Sequence, residues 1–219
     1  ALAGLRRAGS LDEVNRLVGE AEDLRDASRL DEALATAQRA VALDGAQEQA
    51  RALVSSIRAQ IADNAFTRVM SQGFTALQAG ESEAAIVAFE RALAMRPNST
   101  QAQEAITQTK DQLAVTQINV HRGAAEDFAA QEQWAAAVRE FDAALDIDPN
   151  LVFAIEGKDY AGKRAQLDSL LQSAIDQPAR LADTAVYEQV VQVYYTGRNL
   201  NVDGARLEGQ LNELEGLLN

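Results

Sequence analysis

One short pattern of small and aromatic residues occurs three times in this chain, and the copies are evenly spaced. Ala85, Phe89 and Ala92 lie at intervals of four and three, so they share one face of a helix. Ala137, Phe141 and Ala144 repeat the pattern. Ala33, Ala37 and Ala40 give it again, with alanine in place of the aromatic. The first members are 52 residues apart both times (85 − 33 and 137 − 85). A weak pattern returning twice at one offset restricts the chain to an array of equivalent units, none of which buries its apolar face without a neighbour. Small residues at the outer positions let another helix approach closely, and the aromatic fills the gap between them.

Composition makes helix the material of the array. Of 219 residues 47% are apolar but only 5% aromatic, so alanine carries much of the apolar count. Alanine is the strongest helix former, and three prolines force few breaks. Turns are expected at Asp44-Gly45, Gly80-Glu81, Pro97-Asn98 and Pro149-Asn150. Neither glycine nor proline occurs from Gln47 to Gln72 or from Ser99 to Arg122, while apolar residues such as Leu53, Ile57, Phe66, Val69 and Ile106 continue. Helices are therefore predicted near 11–26, 30–43, 47–79, 83–95, 99–131, 135–147, 151–175, 181–195 and 204–218. Asp63-Asn64 is where a break in the first long helix would fall. Beyond Gln177-Pro178 the repeat decays, and Val186, Val190, Val191, Val193 and Tyr194 read as an apolar helix or a strand. Leu207, Leu211, Leu214 and Leu218 form a heptad seam, suited to a terminal cap or the start of a coiled coil.

The segment Gly73 to Asn98 resembles the tetratricopeptide repeat, whose second helix carries alanine, aromatic and alanine at this spacing and is closed by proline. Here those residues are Ala85, Phe89, Ala92 and Pro97, then Ala137, Phe141, Ala144 and Pro149, and in weaker form Ala33, Ala37, Ala40 and Gly45. First-helix Gly73 is matched by Ala21 and Ala125. The resemblance covers roughly residues 14 to 165 and implies an all-α helical-repeat solenoid, with these alanines, phenylalanines and prolines as its repeat core. A unit of that family has about 34 residues, so each unit here carries about 18 more. Eighteen residues are five whole turns, which lengthen a helix without rotating its apolar face. The array is expected over 1–176, with a degenerate repeat or capping helices over 177–219.

Chemistry-bearing motifs are scarce. The chain has no cysteine, which removes thiol catalysis and thiolate metal sites, and His121 is its single histidine. No glycine-rich phosphate loop occurs. Asp146-Ile147-Asp148-Pro149-Asn150 begins like a calcium loop, but Leu151 and Gly157 stand where glycine and glutamate are needed. Glu20, Glu22 and Asp23 read as solvated charge, and Glu81 and Glu83 as favourable charge at a helix start. No catalytic residue, metal or cofactor is expected. The formal charge of −13, from 33 acidic and 20 basic residues, argues against nucleic acid as a partner. Apolar runs such as Leu151 to Ile155 fall far short of a membrane span, so no insertion is expected within this stretch. No signal peptide follows Ala1, and the chain reads as a piece of a longer protein. Its alanine, glutamine and arginine content has a bacterial character. The lack of cysteine fits a periplasmic or otherwise extracytoplasmic setting slightly better than the cytoplasm.

In the resembled family, the first helices of successive units line a concave wall that binds partner peptides. The matching positions are Asn15, Val18, Glu22 and Arg25, then Thr67, Met70, Phe74 and Leu77, then Asn119, Arg122, Glu126 and Ala129. Two functions remain open: an interaction scaffold that takes a peptide or helix of a partner protein, and a structural spacer or oligomerisation module between flanking domains. For a scaffold, Met70, Phe74 and Leu77 offer an adaptable apolar stripe. The negative surface would then select a basic amphipathic partner.

Overall fold

Alanine-rich segments without internal breakers have one regular option, and the chain takes it. The computed structural model describes the backbone of residues 2–199 and 204–219 and the side chains of 11–199 and 204–219. Among these residues there is no strand. The order is α1 (Leu2–Asp26), α2 (Leu30–Leu43), α3 (Glu48–Gln78), α4 (Ser82–Met95), α5 (Thr100–Ala130), α6 (Trp134–Ile147) and α7 (Val152–Asp176), then a 3₁₀ turn (Pro178–Ala182), α8 (Thr184–Asn199) and α9 (Ala205–Leu218). Two compact units result, residues 1–110 and 111–219, and their boundary falls inside α5.

The first unit holds two cores threaded on one helix. Val14, Leu17 and Ala21 of α1 pack with Ala33, Ala37 and Ala40 of α2 and with Ala50, Leu53 and Ile57 of α3. The second core takes Phe66, Val69 and Met70 from the far half of α3, Ala85, Phe89 and Ala92 from α4, and Ala102, Ala105 and Ile106 from α5. Helix α3 runs unbroken through Asp63-Asn64. Arg96, the C-cap of α4, pairs with Asp63, and its guanidinium lies 4.3 Å above the Phe66 ring, which fixes the end of α4 to the middle of α3. In the second unit α7 is shared in the same way. Its first half closes a core of Ala125, Trp134, Ala137, Phe141 and Ala144, and its second half packs Leu167, Leu171 and Ala174 against Leu207, Leu211 and Leu214 of α9. The heptad seam of α9 is thus occupied inside its own unit.

Each second-helix side chain at the middle of the repeated pattern fits a matched recess. The Phe89 ring occupies the space that a Cβ at Gly73 would need, and the Phe141 ring does the same at Gly157. These glycines are not equivalent: Gly73 precedes Phe89 by 16 residues (89 − 73), whereas Gly157 follows Phe141 by 16 (157 − 141). Each phenylalanine is therefore flanked at these two offsets by one glycine and one buried alanine, Ala105 for Phe89 and Ala125 for Phe141. In the first copy the central residue shrinks to Ala37, and its flanks are Ala21 and Leu53. Leucine restores on the neighbouring helix the volume that the aromatic supplies elsewhere.

The turns repeat as faithfully as the cores. Ser28, Gly80 and Glu132 adopt left-handed φ values of 61°, 79° and 55°. At each, the next amide donates to the carbonyl five residues before it: Arg29 N–H to Leu24 O, Glu81 N–H to Ala76 O and Gln133 N–H to Phe128 O, at 2.8–2.9 Å. Such a closure satisfies the last carbonyls of a helix and favours glycine at the left-handed site. Only Gly80 meets that preference. Glu132 accepts the strain in a useful place, since its carboxylate receives the Arg206 and Leu207 amides at 2.8 and 3.1 Å and caps α9. Gly204 leaves room for it.

The structure corrects the expected pattern at a few points. Pro97 and Pro149 are exposed turn residues that follow the C-caps of α4 and α6, so they stop helices rather than fill a core. The helix expected near 181–195 is present as α8 at 184–199, which closes the strand alternative, but Pro178 opens a separate 3₁₀ turn before it. Helix α1 reaches back to Leu2, beyond the expected start at 11.

Truncating Phe89 to alanine should cost about 3–5 kcal/mol in denaturant melts. Gly73→Ala should cost about 1–3 kcal/mol by overpacking. Ala37→Phe should be destabilising alone and largely rescued by Leu53→Ala, which a double-mutant cycle reads directly. Ser28→Gly should gain about 0.5–1 kcal/mol by relieving the left-handed site. Glu132→Gly should instead lose about 0.5–2 kcal/mol, because the α9 cap disappears with the strain.

Candidate interaction surface

The residues expected to line a wall do not converge on one surface within the first unit. Asn15 is exposed and accepts a 3.1 Å hydrogen bond from Gln47 Nε2. Glu22 and Arg25 are half-buried. Val18 is only 3% exposed and belongs to the first core. Met70, also 3% exposed, belongs to the second, and Leu77 packs against it. Phe74 keeps an exposed edge while its ring meets Phe89 edge to face at 5.0 Å. Thr67 is exposed. Val18 and Met70 are therefore packing residues and cannot serve as contact positions. The physical reason is the length of α3. The 17 residues from Leu53 to Met70 (70 − 53) separate the two cores by roughly 25 Å along the helix.

In the second unit Asn119, Arg122 and Glu126 are exposed on α5, and Ala129 is half-buried. Arg122 Nε donates to Glu126 at 2.8 Å, and its guanidinium lies 5.0 Å from the Phe153 ring. His121 Nδ1 stands 2.8 Å from Glu140 Oε2, a contact that joins α5 to α6. Arg164 of α7 is buried against the rings of Trp134 and Tyr160, at 5.0 and 4.4 Å.

A different surface stands out, at α8. Its sequence TAVYEQVVQVYYTGRN sets Val186, Tyr187, Val190, Val193 and Tyr194 on one face and Thr184, Glu188, Gln189, Gln192, Thr196 and Asn199 on the other, with Glu188 and Arg198 as its only charges. Its apolar face is covered only in part: Val190, Val193 and Tyr194 pack half-buried against the α7–α9 core, and Gly197 is its one buried residue. Gly197 sits against Leu211 of α9, where an added Cβ would be 2.8 Å from Cδ2. Polar contacts fasten the same edge. Arg198 Nη2 donates to Asn212 Oδ1 at 2.9 Å and to Glu215 Oε2 at 2.7 Å, and the Tyr187 hydroxyl donates to the Leu218 carbonyl at 3.3 Å. Hydrogen bonding from Tyr194, and then from Arg198, holds the Glu215 carboxyl below its usual range.

Anchored along α9, α8 leaves an apolar groove against α7. One part, of about 170 Å³, is lined by Leu170, Ala174, Leu181, Val186, Val190 and Val193 among others. A second part, of about 330 Å³, shares Leu170 and Val193 and extends past Leu167 to Lys163 and Thr196. Leu170 is 46% exposed. The polar groups that line both parts are Lys163, Gln166, Ser173, Gln177, Arg180, Gln189 and Thr196, with no carboxylate. The apolar residues from Val186 to Tyr194 are visible in the sequence, which leaves both helix and strand open there. Whether a neighbour covers an apolar helix is not written in the helix.

Among the described residues no cluster of three or more histidine or carboxylate groups could hold a metal ion. No described helix is long and apolar enough to cross a membrane. No family model matches the chain, and no curated protein or solved structure matches it.

The α8–α9 fastening has a definite pH sense. A depressed carboxyl pKa stabilises the contact fully above the ordinary carboxylate range and loses that contribution as pH falls through the depressed value. Protection factors of the α8 amides should therefore drop on acidification below that range. Glu215→Gln should lower them at neutral pH and remove most of the dependence.

Proposed function

We propose that this chain is a non-enzymatic, tetratricopeptide-like helical-repeat scaffold that binds a segment of a partner protein, and that its contact surface is the α7–α8 groove. One observation carries the choice of surface: Leu170 of α7 is 46% exposed beside the half-buried Val186, Val190 and Val193 of α8, so an apolar groove stays open between the two helices. Apolar side chains gathered in an open groove with a polar border mark interaction sites. The repeat reading draws support from the 52-residue recurrence of buried alanines, matched recesses and left-handed turns. The spacer reading has support of its own, because Met70 and Leu77 fill a core and leave Phe74 alone of that stripe exposed.

A photo-cross-linking residue at Val190 distinguishes the two. In the source cells it should give a defined cross-linked species, while the same residue at Val87, 65% exposed on α4, should give none. Identical patterns from both positions would leave the spacer reading in place.

A further inference from the structure

The groove also specifies the chemistry of its occupant, if the scaffold reading holds. Both walls are regular helices whose backbone groups are already paired along their own axes. An extended peptide laid between them would find few partners for its amides and carbonyls, and buried backbone groups left unpaired are costly. The occupant must satisfy its own backbone, which makes it a helix. On α7 the groove runs from Lys163 to Gln177, 14 residues (177 − 163) or roughly 21 Å, enough for about four turns.

Charge selects among helices. The chain carries −13 overall, so most of its surface repels an acidic segment. The groove is lined by two cations and no carboxylate. The Arg180 guanidinium donates to the Gln177 side chain, at 3.3 Å, and forms no ion pair among the described residues. Lys163 pairs with Asp159 at 2.6 Å on an exposed helix face. Such a pair contributes little and is readily exchanged.

We infer that the α7–α8 groove receives an amphipathic partner helix of about four turns, apolar on one stripe and carrying Asp or Glu beside it. This reverses the charge expected of a partner at Phe74, because the local lining departs from the net charge.

The test uses the whole chain and three labelled 16-residue helical peptides. One has leucines at i, i+3, i+4 and i+7 flanked by glutamates; the second has lysines in place of the glutamates; the third has the first composition scrambled. Fluorescence anisotropy should show the glutamate peptide binding more tightly than the lysine peptide by roughly tenfold or more. Its binding should weaken as salt rises. Arg180→Glu should shrink that preference. Leu170→Glu and Val193→Glu should each abolish binding, with circular dichroism and melting unchanged for at least one of them. Equal or better binding of the lysine peptide, or equal binding of the scrambled one, would overturn the inference. Self-association in sedimentation that Val193→Glu dissolves would also overturn it, since the occupant would be a second copy. A defined cross-link from Val190 alongside failure of the glutamate peptide would defeat this inference alone. Loss of both would defeat the scaffold reading too.

Discussion

The described structure depends on one contact type: a second-helix side chain entering a recess between two neighbouring helices. Phe89 and Phe141 are the full-sized versions, each seated against a glycine that has given up its Cβ for the ring. Dispersion contacts are individually small, so this seating matters through its completeness. Removing the ring leaves a void, and adding one methyl beneath it forces the helices apart. The first copy meets the same requirement in reverse, with small Ala37 facing larger Leu53. What recurs every 52 residues is thus the filled volume, and the side chain that fills it can sit on either helix.

Long helices carry this contact from one core to the next. Along α3 the buried face changes sides. Ala50, Leu53 and Ile57 turn to the first core, while Phe66, Val69 and Met70 lie nearly opposite them on the helix and turn to the second. The extra length of about five turns therefore does not keep one apolar face in register. The same length keeps successive contact faces apart. Val18 and Met70 occupy positions 52 residues apart (70 − 18), yet each belongs to a different core of the first unit. Stability and recognition therefore diverge here: the feature that links neighbouring cores also disperses the wall that shorter helices would bring together.

Most of the architecture could be read from the residues. Helix ends fell within a few residues of expectation wherever a glycine, a proline or an alanine-spaced face marked them. The buried positions followed the spacing of four and three. The left-handed sites at Ser28 and Glu132 escaped notice because neither is glycine. Glu132 in particular adopts that conformation for a cap on α9, more than seventy residues away in sequence (205 − 132). Val18 and Met70 are packing residues because a helix position fixes which face a residue shares, while the neighbouring helices decide whether that face is covered.

The sequence by itself determined the local terms: helix through alanine and the absence of breakers, turns through Gly80, Pro97 and Pro149, and the repeat through a fixed offset. These are short-range effects, set within a few residues of each position. Tertiary structure alone decided where coverage stops. Val190 and Val193 are as apolar as Leu171 and Leu214, but they pack only in part against the α7–α9 core and stay half-buried beside the groove. Burial is a property of the surrounding helices, so only their packing could show that this apolar face, bordered by Lys163 and Arg180, stays open.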